Sequence, residues 1–405
     1  MKKITTSMLC FILSLFLVSC SSQKKEQISL TVWSSESNQE ILKTMTEAFC
    51  EHYKEEADLQ INIGEQSEDD FKNNYLENVE DSADVFSFPD DQLYDLVKAD
   101  SLAPYTIEKD TIIENCGGKD STAIQCAMQN GELYGSPMTA SNGYFLFYDS
   151  RYFTEDDVKT LDRILEVAEQ KGKKFAMDWS SGWYLYSFFG GAGFDLYFDD
   201  EKEVNICNWN QKVNGIKGMD VAEALLQISS HESFSSKNND EFVEGVESGE
   251  VIAGVSGTWN VEIVKKAFGD GYAAAKLPTY TVAGKQMQMA SFSGYKLVGI
   301  NATSEHPDWA EKLAVWITNE ENQTLRFEET GEGPANINAA NSEKVKEAPA
   351  IRALTEQSRY SVVQNVGENF WDASTAFGMM MASGNRDGLN LQEILDQMVE
   401  KITAP

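Results

Sequence analysis

Three histidines, His52, His231 and His306, are all the chain offers for imidazole chemistry, and each lies in a polar stretch. There is no H-E-x-x-H zinc helix, no G-x-S-x-G nucleophile turn and no G-x-x-x-x-G-K-S/T phosphate loop. The glycines of FFGGAGF (188–194) lack dinucleotide spacing and read as a turn. With 65 acidic residues, any two carboxylates can be paired on paper as a glycosidase acid and base, so that signal selects nothing. No catalytic residue, metal ligand or cofactor site is assigned. Aromatic rings next to small polar side chains are more informative. VFSFPDDQ (85–92) sets Phe88 before Asp91 and Gln92, and SGTWN (256–260) sets Trp259 just after an apolar run. DWSSGWYLYSFF (178–189) carries Trp183 and Tyr184, and YGSPMTASNGYF (134–145) carries Ser141 and Asn142. Flat rings bury apolar area while Asp, Asn and Gln offer directed hydrogen bonds. That mixture suits a sugar, which has apolar C–H faces and a hydroxyl rim. The competing reading for each ring taken singly is ordinary core packing.

VGENFWDASTAFG (366–378) sharpens the choice. On a helix turning ~100° per residue, Phe377 and Met381 fall within about 20° of Phe370 and form a core stripe. Trp371 lies about 100° off that stripe, so it needs another partner: a neighbouring helix or a bound ring.

The start of the chain suggests where it works. MKK precedes a mostly apolar run from Met8 to Val18 that is too short to span a bilayer, the pattern of a secretory signal. Leu17-Val18-Ser19-Cys20 resembles the bacterial lipobox, which implies acylation of Cys20 and an anchored mature chain on the outer face of the cytoplasmic membrane. SSQKKEQ (21–27) reads as a solvated tether. A body of about 380 residues is too long for one core and comfortable for two domains. The chain has 33 basic and 65 acidic residues, a net charge of −32; removing 1–19 takes away Lys2 and Lys3, giving −34. Such a charge excludes nucleic acid as the expected partner, because phosphate binding rests on Lys and Arg. Cys50, Cys116, Cys126 and Cys207 allow three pairings if oxidised; Cys116 and Cys126 could staple a loop, and idle thiols are the simpler expectation.

From residue 29 the pattern alternates: strand 29–34, helix 38–54, strand 59–65, helix near 70–78, strand 84–88 and a helix from 90. Later come strand 144–148, helix 155–171, strand 174–178, strand 251–257 and helix 259–268. A strand over 292–301, a single helix over 308–327 and helices at 343–357, 368–382 and 390–402 complete it. Short apolar runs between helical segments predict α/β architecture with a mainly parallel sheet. In 308–327, Trp309, Leu313, Trp316 and Ile317 share one helix face, so both tryptophans are expected in the core.

Several stretches resemble the extracellular sugar-binding proteins of ABC importers, in particular the maltose and maltodextrin binders. They are ADVFSFPDDQLYDLVKADSLAPYT (83–106), ELYGSPMTASNGYFLFYDSRYF (132–153), VSGTWNVEIVKK (255–266), FSGYKLVGINATSEHPDWAEKLAVWI (292–317), GEGPANINAANSEKV (331–345) and ENFWDASTAFGMMMASG (368–384). The resemblance implies a two-lobed periplasmic-binding-protein-like fold, a Venus flytrap with its ligand cleft between the lobes. It places one lobe at 29–141 and 298–340 and the other at 142–297 and 341–405, after a signal (1–19) and an anchored tether (20–28). It implies stacking on Trp259 and Trp371, polar contacts from Asp91 and Gln92 beside Phe88, and weaker matches at Trp183 and Tyr184. Gln92 stands where the family has Arg, Ser141 or Asn142 where it often has Glu, and the loop WSSESNQ (33–39) lacks the Asp-Lys pair, leaving Glu36 as its acid. The implied function is to bind an oligosaccharide, most simply maltose or maltodextrin, as a monomer and deliver it to membrane permease subunits. The rivals are an anchored glycoside hydrolase, with Asp178 or Asp372 as the first carboxylates to test, and a sugar-sensing receptor.

Overall fold

A computed structural model describes residues 25–67, 71–199 and 202–405. Cys20 and the signal lie outside the described residues.

Ten strands form one sheet: β1 (Glu26–Ser34), β2 (Ala57–Glu65), β3 (Val85–Pro89), β4 (Ser136–Asp149), β5 (Lys174–Ala176), β6 (Phe234–Ser235), β7 (Val251–Gly257), β8 (Tyr272–Ala275), β9 (Ser291–Ile300) and β10 (Ser361–Val363). The path runs β6-β5-β7-β4-β9-β3-β1-β2, with β8 on β4 and β10 on β9. The sheet is parallel at its ends, where β1 pairs with β2 and β3 and where β5 pairs with β6 and β7. Its middle is antiparallel, since β9 runs against both β3 and β4. That corrects the expectation of a mainly parallel sheet. β4 and β9 are long crossing strands that run in opposite directions, and their mutual register shifts between Gly294 and Leu297. There Ala140 donates to Gly333 O at 2.9 Å and Thr139 bridges to Pro334, so the crossing at 332–334 joins the sheet where β4 and β9 part.

Two cores flank this crossing. One gathers residues from Ile28 to Met138 and from Leu297 to Ile317. The other gathers residues from Tyr144 to Phe292 and from Val366 to Ile402. In the second, alternation along β4 sends Tyr144, Leu146 and Tyr148 to one face and Phe145 and Phe147 to the other, which has its own cluster under Val261, Val264 and Phe268. The result is the two-lobed fold of periplasmic binding proteins.

The helices used below are α1 (Gln39–His52), α2 (Phe71–Glu77), α3 (Leu93–Lys98), α4 (Gly182–Gly191), α5 (Asn239–Glu247), α6 (Val261–Phe268), α7 (Pro307–Ile317), α8 (Glu320–Thr330) and α9 (Asn369–Ala382). The expected helix over 308–327 is two helices, because Asn319 stops α7 and caps α8, its side chain accepting from Asn322 N at 2.8 Å. The stretch 343–357 also divides, at Ala348 before Pro349, where the backbone is extended. Trp309 and Trp316, expected in the core, are half-buried at its edge against α1, with Trp316 Nε1 donating to Met45 O at 2.9 Å. Among the described residues Cys50, Cys116, Cys126 and Cys207 are all free, and burial pushes the Cys116 thiol up to about 12. Among the described residues no helix is long and apolar enough to cross a membrane.

Candidate functional site

Phe370, Phe377 and Met381 are buried and Trp371 is left half-buried at their side, as the helical spacing of α9 requires. Trp371 meets Phe370 at 5.0 Å between ring centroids, edge to face. The start of α4 abuts the same helix: a Cβ on Gly182 would lie 1.8 Å from Ser374 Oγ, so only glycine allows this approach. Trp183, the next residue, therefore stands beside α9. Its ring lies 5.7 Å from Trp259, tilted by 33°, and 4.6 Å from Tyr144. Tyr144 in turn donates its hydroxyl to Trp183 O at 2.8 Å and lies 4.9 Å from Tyr184. Trp259 sits in the turn between the fully buried β7 and α6, half-buried. Trp183, Tyr184, Trp259 and Trp371 thus gather on one lobe, although three separate segments supply them.

The other lobe supplies polar groups at the end of β3. Asp90, Asp91 and Gln92 form a single turn there, with Gln92 buried and Asp91 half-buried. Phe88 does not join them. It is 0% exposed and packs on Phe71 and Phe86, because the pleat puts it on the core face with Phe86. Ser141 also departs from expectation: it is 4% exposed, and its Oγ accepts from Gly333 N at 2.8 Å and from Thr258 Oγ1 at 3.1 Å. Its hydroxyl ties the crossing together instead of facing a ligand. Asn142 is half-buried and pairs with Gly294, and Glu36 is exposed in the turn after β1. The lobes meet where Lys72 of α2 reaches Glu368 at 2.6 Å as well as Asp95 at 2.7 Å. Glu368 is the N-cap residue of the helix that bears Trp371. Nearby, Tyr94 of α3 lies 6.0 Å from Phe198, and Lys98 lies 3.3 Å from Glu203.

The two carboxylates considered for hydrolysis differ. Asp178 accepts from Ser180 N at 2.7 Å, and burial raises its pKa, while Asp372 is exposed. Among the described residues no three His, Cys, Asp or Glu side chains gather as a metal site.

Residues 48–353 match the bacterial extracellular solute-binding protein family. The chain belongs to that family. Its relatives among these solute-binding proteins include the galactooligosaccharide-binding protein of Bacillus subtilis (strain 168), 28% identical over 98% of this chain and 96% of the relative. The maltooligosaccharide ABC transporter solute-binding lipoprotein of Streptococcus pneumoniae (strain ATCC BAA-255 / R6) is 22% identical over 66% of this chain and 65% of its own length. A structure solved with acarbose superposes with a TM-score of 0.83 at 27% identity, over 93% of this chain and 99% of that one. The maltotriose binding protein of Thermus thermophilus, bound with maltotriose, superposes with a TM-score of 0.77 at 18% identity, over 92% and 98% of the two chains.

In this solute-binding protein, Asp90 was the residue that sequence reasoning passed over. It is 8% exposed, and a Cβ on Gly294 would lie 2.5 Å from its Oδ1 and 3.5 Å from Asn142 Nδ2, so the carboxylate and the amide converge over that glycine. Burial, and then the charge of Asp91, push its pKa up to about 7, against hydrogen bonds from Tyr295 and Cys126. Between an unfolded value near 3.8 and about 7, the folded state holds a proton that the unfolded state releases, so this group removes stability as pH rises. Asp90→Asn cannot titrate. Its urea midpoint is expected to gain on that of the parent from about pH 4 to about pH 8, and parallel profiles would sink this account.

Proposed function

We propose that this chain is the substrate-binding component of an ABC importer, capturing an oligosaccharide in the cleft between its lobes and delivering it to membrane permease subunits. The observation that carries this reading is the gathering of Trp183, Trp259 and Trp371, none of them fully buried, on one lobe. Half-buried rings of this kind fit the apolar face of a sugar. Facing them, Asp91, Gln92, Asn142 and the exposed Glu36 would form the polar rim. We take 29–141 with 298–340 as one lobe and 142–297 with 341–405 as the other, closing about the crossings; Cys20 would carry the lipid anchor. Periplasmic binding proteins close around their ligands by hinge motion, and such closure requires the ligand to favour the closed state over the open one. The same binding without a permease would make the chain a sensor.

Maltodextrin is the first cargo to test. Galactooligosaccharide is the second, favoured by the relative that matches along nearly the whole chain. A ligand that binds only the folded protein raises its melting temperature. Melting the protein with maltose, maltotriose, galactooligosaccharides and unrelated glycans is expected to give a clear upward shift with one oligosaccharide class. A shift with none of them would sink the carbohydrate reading, and release of shorter sugars during incubation would favour the hydrolase.

A further inference from the structure

Trp259 is anchored on three sides. Its Nε1–H donates to Asn239 Oδ1 at 3.2 Å, and the same oxygen accepts from Asn260 Nδ2 at 2.8 Å. Asn260 is buried and also donates to Ser256 Oγ at 2.8 Å, which ties the network back to β7. Asn239 opens α5, whose start is held by a reciprocal cap between Asn238 and Glu241. The six-membered part of the indole folds over Gly257: a Cβ there would lie 2.0 Å from Trp259 Cζ3 and 2.1 Å from Cη2. Gly257 has φ −109 and ψ −174, extended backbone that any residue adopts, so the ring and not the backbone demands glycine. Trp183 packs on Trp259 at 5.7 Å.

We infer that Asn239 and Gly257 are positioning residues that lock the Trp259 ring in place before any ligand arrives. This rests on the reading of Trp259 as a stacking surface for sugar. A ring already fixed in its bound pose loses little freedom when the sugar lands, so the anchors raise affinity without touching the ligand. Because an indole nitrogen only donates, the Asn239 atom facing it must be the oxygen, and aspartate can replace asparagine there while leucine cannot.

The test labels the protein with 5-fluorotryptophan and follows its fluorine NMR spectrum without ligand, the Trp259 line being the one lost in Trp259→Phe. That line is expected to shift and broaden in Asn239→Leu and in Gly257→Ala, and to keep its position in Asn239→Asp. An unchanged Trp259 line in both Asn239→Leu and Gly257→Ala would overturn the inference. Affinity is then measured for maltotriose and for galactotriose, using whichever the parent binds more tightly. Asn239→Leu is expected to weaken binding about fivefold, the scale of one lost hydrogen bond. Asn239→Asp should restore it, and Asn239→Leu should add nothing in a Trp259→Phe background, where no N–H remains to be held. A fivefold loss that persists in that background would also overturn it. If the parent binds neither sugar, those two cargoes fail while the fluorine lines still decide whether the ring is locked.

Discussion

Glu332→Ala is expected to cost about 3–5 kcal/mol of stability, because it strips the counter-charge from two buried cations. Glu332 Oε1 lies 2.7 Å from Lys296 Nζ and its Oε2 lies 3.6 Å from Arg326 Nη1. The three side chains are 3%, 8% and 2% exposed, so water can replace none of the lost contacts. Arg326 also donates to Asn38 of the first loop, and Lys296 lies on the crossing strand β9. The knot therefore joins α8, the loop after β1 and the crossing strand at one point. Burial alone would raise the Glu332 pKa, but Lys296 and Arg326 outweigh it and hold the carboxyl below the usual glutamate range. A depressed acid lends stability that is present above the unfolded pKa and lost as pH falls through the folded one. The urea midpoint of Glu332→Ala should therefore lie far below that of the parent at neutral pH, with the gap closing in acid. Replacing all three residues by methionine should cost much less than the single change, since no buried charge is then left alone. A single variant as stable as the parent at neutral pH would refute this role for the knot.

The same crossing region shows what the sequence could and could not convey. β1, β2 and β3 were legible as short strand-forming runs next to helical segments, although β1 starts earlier than the expected 29, at Glu26, and buries Ile28 with Leu30 and Val32. The first half of β4, SPMTASNG, was not. Apart from the exposed Ala140 and the half-buried Asn142 its residues are buried, by contact with β9 and with Pro334, partners distant in sequence, and no alternation marks it. Ser141 was misread for the same reason: a small polar residue in such a stretch looks available until the backbone of Gly333 claims its hydroxyl. The break of α7 from α8 had a local signal in Asn319, and the break before Pro349 had one in the proline itself, but helical periodicity across both masked them. Phe88 stacks in the core although its neighbours Asp91 and Gln92 lie on the turn beyond, because one strand's pleat separates the two environments. Trp371 was legible from spacing alone, since α9 keeps the angle that sets it off the stripe of Phe370, Phe377 and Met381.

Trp371 and Trp259 carry the largest expected effect on binding. Truncating either to alanine should weaken oligosaccharide affinity by on the order of 2 kcal/mol, the cost of removing an aromatic anchor, or roughly thirtyfold. Neither ring is a keystone of its lobe. Trp371 touches the core at the edge of Phe370, and Trp259 rests on Gly257 and Trp183, so the helices beneath keep their own buried residues. Unliganded melting temperatures should accordingly stay near that of the parent, while the rise on adding sugar shrinks in both variants. Comparing the two variants also separates stacking from general loss of surface. Trp371 stands on a helix whose N-cap residue is tied across the lobes by Lys72, whereas Trp259 belongs to a turn held within its own lobe. If sugar is gripped as the lobes close, Lys72→Met should weaken binding through Trp371 and add little once Trp371 is alanine, but should add its full effect to Trp259→Ala. Equal additivity in both backgrounds would mean that the Lys72 tie does not act through that ring, and unchanged affinity in both tryptophan variants would remove the stacking site altogether.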